Sequence, residues 1–217
     1  MTACKTGIDF GLYLVTDRVL SGGRPLEKIV RESVAGGVSV VQLREKNVGT
    51  REFLDQAFVL RQVASELGIP LIINDRVDIA LACGADGVHL GQEDMPCAFA
   101  RRIVGGDMTI GVSVSTADEA LEAEADGADY LGVGPLFATA TKPDAQPATG
   151  IGVLRAIRRA VRVPLVGIGG ITETNAGAVI SAGADGVAVV SAIIASPDPG
   201  AAARAIRSAI DEIRTGQ

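Results

Sequence analysis

Short aliphatic runs alternate along the chain with longer stretches whose apolar residues recur every three or four positions. The runs read as strands at Leu12–Thr16, Val38–Leu43, Leu71–Asn74, Gly87–Leu90, Thr109–Ser113, Tyr130–Gly134, Leu165–Gly169 and Gly186–Ser191. They are short and rich in Val, Ile and Leu, as parallel strands covered on both faces tend to be. Thr50–Leu67 is the clearest helix between them, with Phe53, Ala57, Leu60, Ala64 and Leu67 forming one apolar stripe. Thr116 followed by Glu119 predicts a capping box, and Pro25 suits a first helical turn. A Gly-Ala-Asp motif begins at Gly84, Gly127 and Gly183, each time before a strand. Its glycine is expected to end the preceding helix in a left-handed conformation, with Gly36-Gly37 doing the same before the second strand.

Eight such units without a linker-like break predict an α/β chain folded as a single (β/α)8 TIM barrel. One domain covers residues 1–217, with the barrel over about 12–195 and a last helix over about 198–214. An open doubly wound sheet is the competing architecture, but no GxGxxG follows the first strand, which removes its dinucleotide-binding form. Catalytic groups of such barrels stand at the C-terminal ends of strands. Asp86, Asp129 and Asp185 precede theirs and therefore belong to the stability face.

Aromatic residues make up only 3% of the chain against 47% hydrophobic, so aliphatic side chains must fill the interior. A formal net charge of −6 provides no global basic field for nucleic acid or an anionic membrane. An anionic ligand would have to be held by a few local cations or a metal. Cys4, Cys83 and Cys97 are widely spaced and match no zinc pattern, which suits free thiols in a reducing compartment. No signal-like or membrane-length segment is evident, so a cytoplasmic protein is expected.

The strand ends carry a polar set. Gly167-Ile168-Gly169-Gly170 and Val190-Ser191 close the seventh and eighth strands, where barrels of this type cradle phosphate on backbone N–H groups. Asp75 and Asp94 follow neighbouring strands and could share Mg²⁺, or they could be solvated loop acids. Arg44 and Lys46 follow the second strand, and Thr139, Thr141 and Lys142 lie in a long, lid-like loop over residues 135–150. Cations gathered near a metal suit a ligand whose negative charge grows during reaction. His89 lies inside a strand and reads as a packed, hydrogen-bonded histidine rather than a base. No Ser-His-Asp or Cys-His arrangement is evident, which argues against acyl transfer.

The stretches LYLVTDR (12–18), QLREK (42–46), IIND (72–75), ADGVHLGQED (85–94), GVS (111–113), GVGPLFATATK (132–142), GIGGI (167–171) and GADGVAVVSAI (183–193) resemble the thiamine phosphate synthase family in its own order. The resemblance implies coupling of a pyrimidine diphosphate to a thiazole phosphate with Mg²⁺ and release of diphosphate. It implies Asp75 and Asp94 as metal ligands, and Gln42, Arg44, Lys46, Asn74, Ser113 and Lys142 as the pyrimidine diphosphate site. It assigns Thr139, Thr141, Gly170, Val190 and Ser191 to the thiazole phosphate, with Lys142, Ser113 and Arg44 as the groups closest to the chemistry. The two phosphorylated small molecules are then the partners, with oligomeric state left open. Val114-Ser115-Thr116 departs from the Ala-His-Thr that often follows the family's serine. Two alternatives are a related thiazole tautomerase, which should not need Asp75, Asp94 and Lys142 together, and a non-catalytic phosphate-ligand sensor.

Overall fold

The computed structural model describes residues 7–139 and 148–216. Eight parallel strands, β1 (Leu12–Val15), β2 (Val40–Leu43), β3 (Leu71–Asn74), β4 (Gly87–Leu90), β5 (Thr109–Val114), β6 (Tyr130–Val133), β7 (Leu165–Ile168) and β8 (Gly186–Val189), pair in sequence order and close β8 onto β1. The helices are α1 (Leu26–Ala35), α2 (Thr50–Leu67), α3 (Val77–Cys83), α4 (Cys97–Val104), α5 (Ala117–Ala125), α6 (Gly150–Ala160), α7 (Ala176–Ser181), α8 (Ser191–Ile194) and α9 (Pro199–Thr215). The expected closed barrel is the observed one. Several strands are a residue or two shorter than their apolar runs, because their ends already belong to the turns.

Two details differ from the sequence reading. Pro25 sits at the N-cap, one residue before α1, where its extended ψ of 128° leads into the first turn. Thr116 caps α5 by accepting from Glu119 N–H, but the Glu119 carboxylate reaches Ser115 N–H rather than the cap's own amide. The last helix also has a settled place: α9 packs along α1 and α7 in the outer ring. The segment after β8 therefore supplies both a one-turn helix at the mouth and the helix that closes the ring. Among the described residues, no helix is long and apolar enough to cross a membrane.

The core has two parts. The larger lies between strands and helices, and a smaller one fills the barrel with Phe10, Tyr13, Val15, Val40, Ile72, Tyr130, Val166 and Ala188. Alternation along the strands places Gln42, Asn74, His89 and Ser113 above that plug, facing the mouth. Gly111 is needed for space: a Cβ there would lie 2.1 Å from Cζ of Tyr130.

The Gly-Ala-Asp motif builds the opposite end. Gly84, Gly127 and Gly183 all have positive φ, at 65°, 92° and 104°. Asp86, Asp129 and Asp185 each accept an N–H at 2.8 Å from the start of the preceding strand, at Leu71, Ile110 and Leu165. Each also pairs with an arginine from a helix, Arg61, Arg101 and Arg158 respectively. One motif thus staples three neighbouring strand pairs, and these acids are structural as expected.

Candidate active site

The C-terminal ends of the strands surround a cavity of about 290 Å³. Its floor and walls come from Tyr13, Val15, Tyr130, Val166 and Ala188, and its polar rim includes Gln42, Arg44, Asn74, His89 and Ser113. Thr139, Gly170, Val190 and Ser191 line the far side. Nine of the expected site residues are accordingly gathered around one space: Gln42, Arg44, Asn74, Ser113, Thr139, Gly170, Val190 and Ser191 in its lining, with Asp75 adjoining Asn74. Lys142 and Thr141 lie outside the described residues.

Asp75 is the most constrained of the acids. Its φ is +63°, and among the described residues it is the one non-glycine with positive φ. Its neighbours clamp it: Asp75 N–H donates to His89 O at 2.8 Å, and Arg76 N–H donates back to Asn74 O at 2.8 Å, closing a γ-turn. A left-handed residue is disfavoured for most side chains, although Asp tolerates it better than most. The Asp75 carboxylate interacts with that of neighbouring Asp94. Burial and the neighbouring Asp94 carboxylate raise the Asp75 pKa, and the Lys46 ammonium at 2.5 Å opposes the rise. Asp94 is anchored by accepting from Gly91 N–H at 2.8 Å.

Two neighbouring carboxylates, that of Asp75 partly buried, suit a hard divalent cation. Among the described residues, no group of three or more His, Cys, Asp or Glu forms a metal cage. The pair could hold a cation such as Mg²⁺, which commonly takes one or two carboxylates and completes its shell with water and phosphate oxygens. Neither acid is among the residues that line the cavity; Asp75 adjoins it through Asn74.

Two buried donors of residues at the rim, Arg44 Nε and Asn74 Nδ2, have no acceptor among the described residues. Arg44 is steadied by Asp17 at 3.4 Å, and its side chain is only 13% exposed. Buried donors without partners are costly, and both residues line the cavity. Lys46, by contrast, turns to Asp75 and is half exposed.

On the far side, Gly169 and Gly170 have φ values of +96° and +65°. A Cβ on Gly170 would lie 2.5 Å from Ala138 O, so the chain approaches too closely for any side chain. Asn175 holds this turn by accepting from Thr172 N–H at 2.9 Å and donating to Gly170 O at 3.0 Å. Arg24 holds the C-terminal end of α8, donating to Ser196 O at 2.7 Å and to Ile194 O.

Sequence reasoning missed several contributors. Asn175 and Arg24 support the site through backbone carbonyls, which no spacing signals. Gln92 donates to Ser113 O at 2.6 Å. Ser115, which stands where the family often has histidine, donates its N–H to Glu119 at 2.6 Å, and both line the cavity. Tyr13 and Tyr130 could have been found from strand alternation, which points both inward. His89 is hydrogen-bonded as expected, but it also reaches the cavity.

The profile of the thiamine monophosphate synthase family matches residues 12–193. The thiamine-phosphate synthase of Chloroflexus aurantiacus is 53% identical over 203 residues, covering 94% of each chain. That of Moorella thermoacetica is 51% identical over 203 residues, covering 94% of this chain and 97% of its own. A solved thiamine phosphate pyrophosphorylase from Pyrococcus furiosus superposes with a TM-score of 0.87 at 43% identity, covering 94% of this chain and 97% of that one. With the barrel and its mouth described, these matches make the chain a member of the thiamine monophosphate synthase family.

Proposed function

We infer that this chain is a transferase that joins 4-amino-2-methyl-5-pyrimidinylmethyl diphosphate to hydroxyethyl-methylthiazole phosphate, giving thiamine phosphate and diphosphate. The observation that carries the reading is the cluster of Asp75, Asp94 and Lys46 beside the donors of Asn74 and Arg44 that lack an acceptor among the described residues. Acids that repel one another and donors that lack acceptors are complementary to a cation-bound diphosphate.

In this reading the C–O bond to the diphosphate breaks first and its electron pair leaves with the oxygen. The thiazole nitrogen lone pair then forms the new C–N bond to the pyrimidinylmethyl cation. No strong base is required. Arg44 and Lys46 bind and neutralise the departing diphosphate, Asn74 binds it through its amide N–H, and Lys142, by its place in the family motif, adds a further charge. Asp75 and Asp94 would hold Mg²⁺, which when bound supplies positive charge for the leaving group. Thr139, Thr141, Gly170, Val190 and Ser191 would hold the thiazole phosphate. Val15, Val166, Ala188 and the two tyrosines keep water from the cationic carbon.

The test is incubation with both substrates and Mg²⁺, following thiamine phosphate and released diphosphate. Both products should appear and both should stop on adding EDTA. A metal-indifferent isomerisation of the thiazole without coupling would replace this reading with the tautomerase one.

A further inference from the structure

A single line of buried polar atoms crosses the barrel beneath the cavity. Gln42 Nε2 donates to Tyr13 Oη at 2.8 Å, and Tyr13 Oη lies 2.9 Å from Tyr130 Oη. Tyr130 Oη lies 2.9 Å from His89 Nδ1, and His89 Nε2 lies 2.9 Å from Ser113 Oγ. Five residues from β2, β1, β6, β4 and β5 therefore share four hydrogen bonds whose directions are linked.

Gln42 sets the direction. Tyr13 Oη accepts from the amide, so its own proton goes to Tyr130. Tyr130 then gives its proton to Nδ1 of His89, which leaves the imidazole proton on Nε2, facing Ser113. The reverse order fails at the other end. If Ser113 donated to Nε2, Nδ1–H would donate to Tyr130, and Tyr130 to Tyr13. Tyr13 would then accept twice. Among the described residues its hydroxyl is bonded only to Gln42 and Tyr130, and at 1% exposure its proton would be buried with no acceptor. Burial raises both phenols above the ordinary tyrosine range, so both keep the protons that this order uses.

The geometry points to His89 as a positioning residue, fixed as the Nε2–H tautomer, which makes Ser113 a hydrogen-bond donor into the cavity. Ser113 Oγ accepts from His89, so its own proton is directed to the ligand. It therefore selects an acceptor atom, such as a ring nitrogen or a phosphate oxygen, over an N–H or O–H group. This inference rests on the proposed substrate pair only for which ligand Ser113 meets. The tautomer itself is a property of the free protein.

The chain contains one histidine, so a long-range ¹H–¹⁵N spectrum of ¹⁵N-histidine-labelled protein reports on His89 alone. In the free wild type, Nε2 should give the protonated-nitrogen signal and Nδ1 the hydrogen-bond-accepting signal; protonation on Nδ1, or on both nitrogens at pH 8, overturns the proposal. In the coupling assay, His89→Leu should raise KM for the pyrimidine diphosphate about 10-fold, the size of one lost hydrogen bond, and leave KM for the thiazole phosphate unchanged. His89→Gln, which keeps an N–H near the Nε2 position, should restore most of that loss. Equal effects of Leu and Gln, or both KM values rising together, overturn the positioning role. If wild type fails to couple the substrates at all, the proposed function falls while the spectrum still decides the tautomer.

Discussion

The turn at Asp75 separates a backbone effect from a charge effect, and three substitutions there should do so by experiment. The residue holds φ at +63° and presents its carboxylate to Asp94 and Lys46. Asp75→Asn keeps the shape and the tolerance of left-handed backbone, and removes one of two repelling charges along with the Lys46 pair. Those two electrostatic changes oppose each other, so folding stability should stay within about 1 kcal/mol of wild type. Asp75→Ala must hold the same φ without that tolerance, which costs about 1 kcal/mol more. Asp75→Gly relieves the backbone but frees the unfolded chain, losing about 0.4–1 kcal/mol. For a chain of 217 residues each kcal/mol corresponds to about 2–4 °C in Tm. Asn should therefore melt highest, with Gly and Ala a few degrees below. All three should lose about 10²–10³-fold in coupling rate, the scale of one preorganised charge contact. Differential scanning calorimetry and the diphosphate-release assay give the two readouts. An Ala variant as stable as Asn would refute the backbone argument, and an Asn variant with wild-type turnover would refute the role of the charge.

Other expectations test different parts of the molecule. Asp129→Ala removes the acceptor of Ile110 N–H and the partner of Arg101, and should cost about 2 kcal/mol in urea unfolding without changing kcat, since it lies at the far end of the barrel. Gly111→Ala drives a methyl into the Tyr130 ring and should cost about 3 kcal/mol or more, seen as a fall in Tm. Burial pushes the Cys97 thiol up to about 11 and raises that of Cys83, so peptide-resolved alkylation at pH 8 should be far slower at both than in the urea-unfolded chain. Because both folded values lie above the unfolded one, stability from these thiols is complete below about pH 9 and declines as pH rises toward 11, so Tm should fall across that window and fall less in Cys97→Ala. Arg24→Ala frees the end of α8 and should raise KM for the thiazole phosphate more than for the pyrimidine diphosphate; equal changes would remove α8 from that subsite.

The barrel was legible because its signals are local. Each strand is an aliphatic run, most helices end at or beside a glycine, and closure follows from eight repeats of one unit. The Gly-Ala-Asp motif even disclosed which acids are structural, since an aspartate before a strand can reach only the stability face. Boundary errors arose where turn residues happen to be apolar: Val38 and Val190 extend their hydrophobic runs but lie outside the strands. The segment after β8 was harder. Its pattern announced a helix near residues 198–214, but only packing against α1 and α7 shows that this helix completes the ring.

The candidate site was legible in a different measure. Position at strand ends was enough to gather Gln42, Arg44, Asn74 and Ser113 around one cavity, because alternation and topology decide which residues face the mouth. What spacing could not supply was relation. Asp75 and Asp94 are separated by a whole strand and helix, and their approach depends on one left-handed turn that nothing in Asn-Asp-Arg announces. The direction of the hydrogen-bond line from Gln42 to Ser113 is less visible still, because it is fixed by counting protons across five strands. Both depend on burial: Asp75 feels Asp94 more because it is itself partly buried, and Tyr13 can dictate a tautomer only because its proton has nowhere else to go. Burial turns residue types readable from sequence into a site with one arrangement, and that step requires the folded barrel.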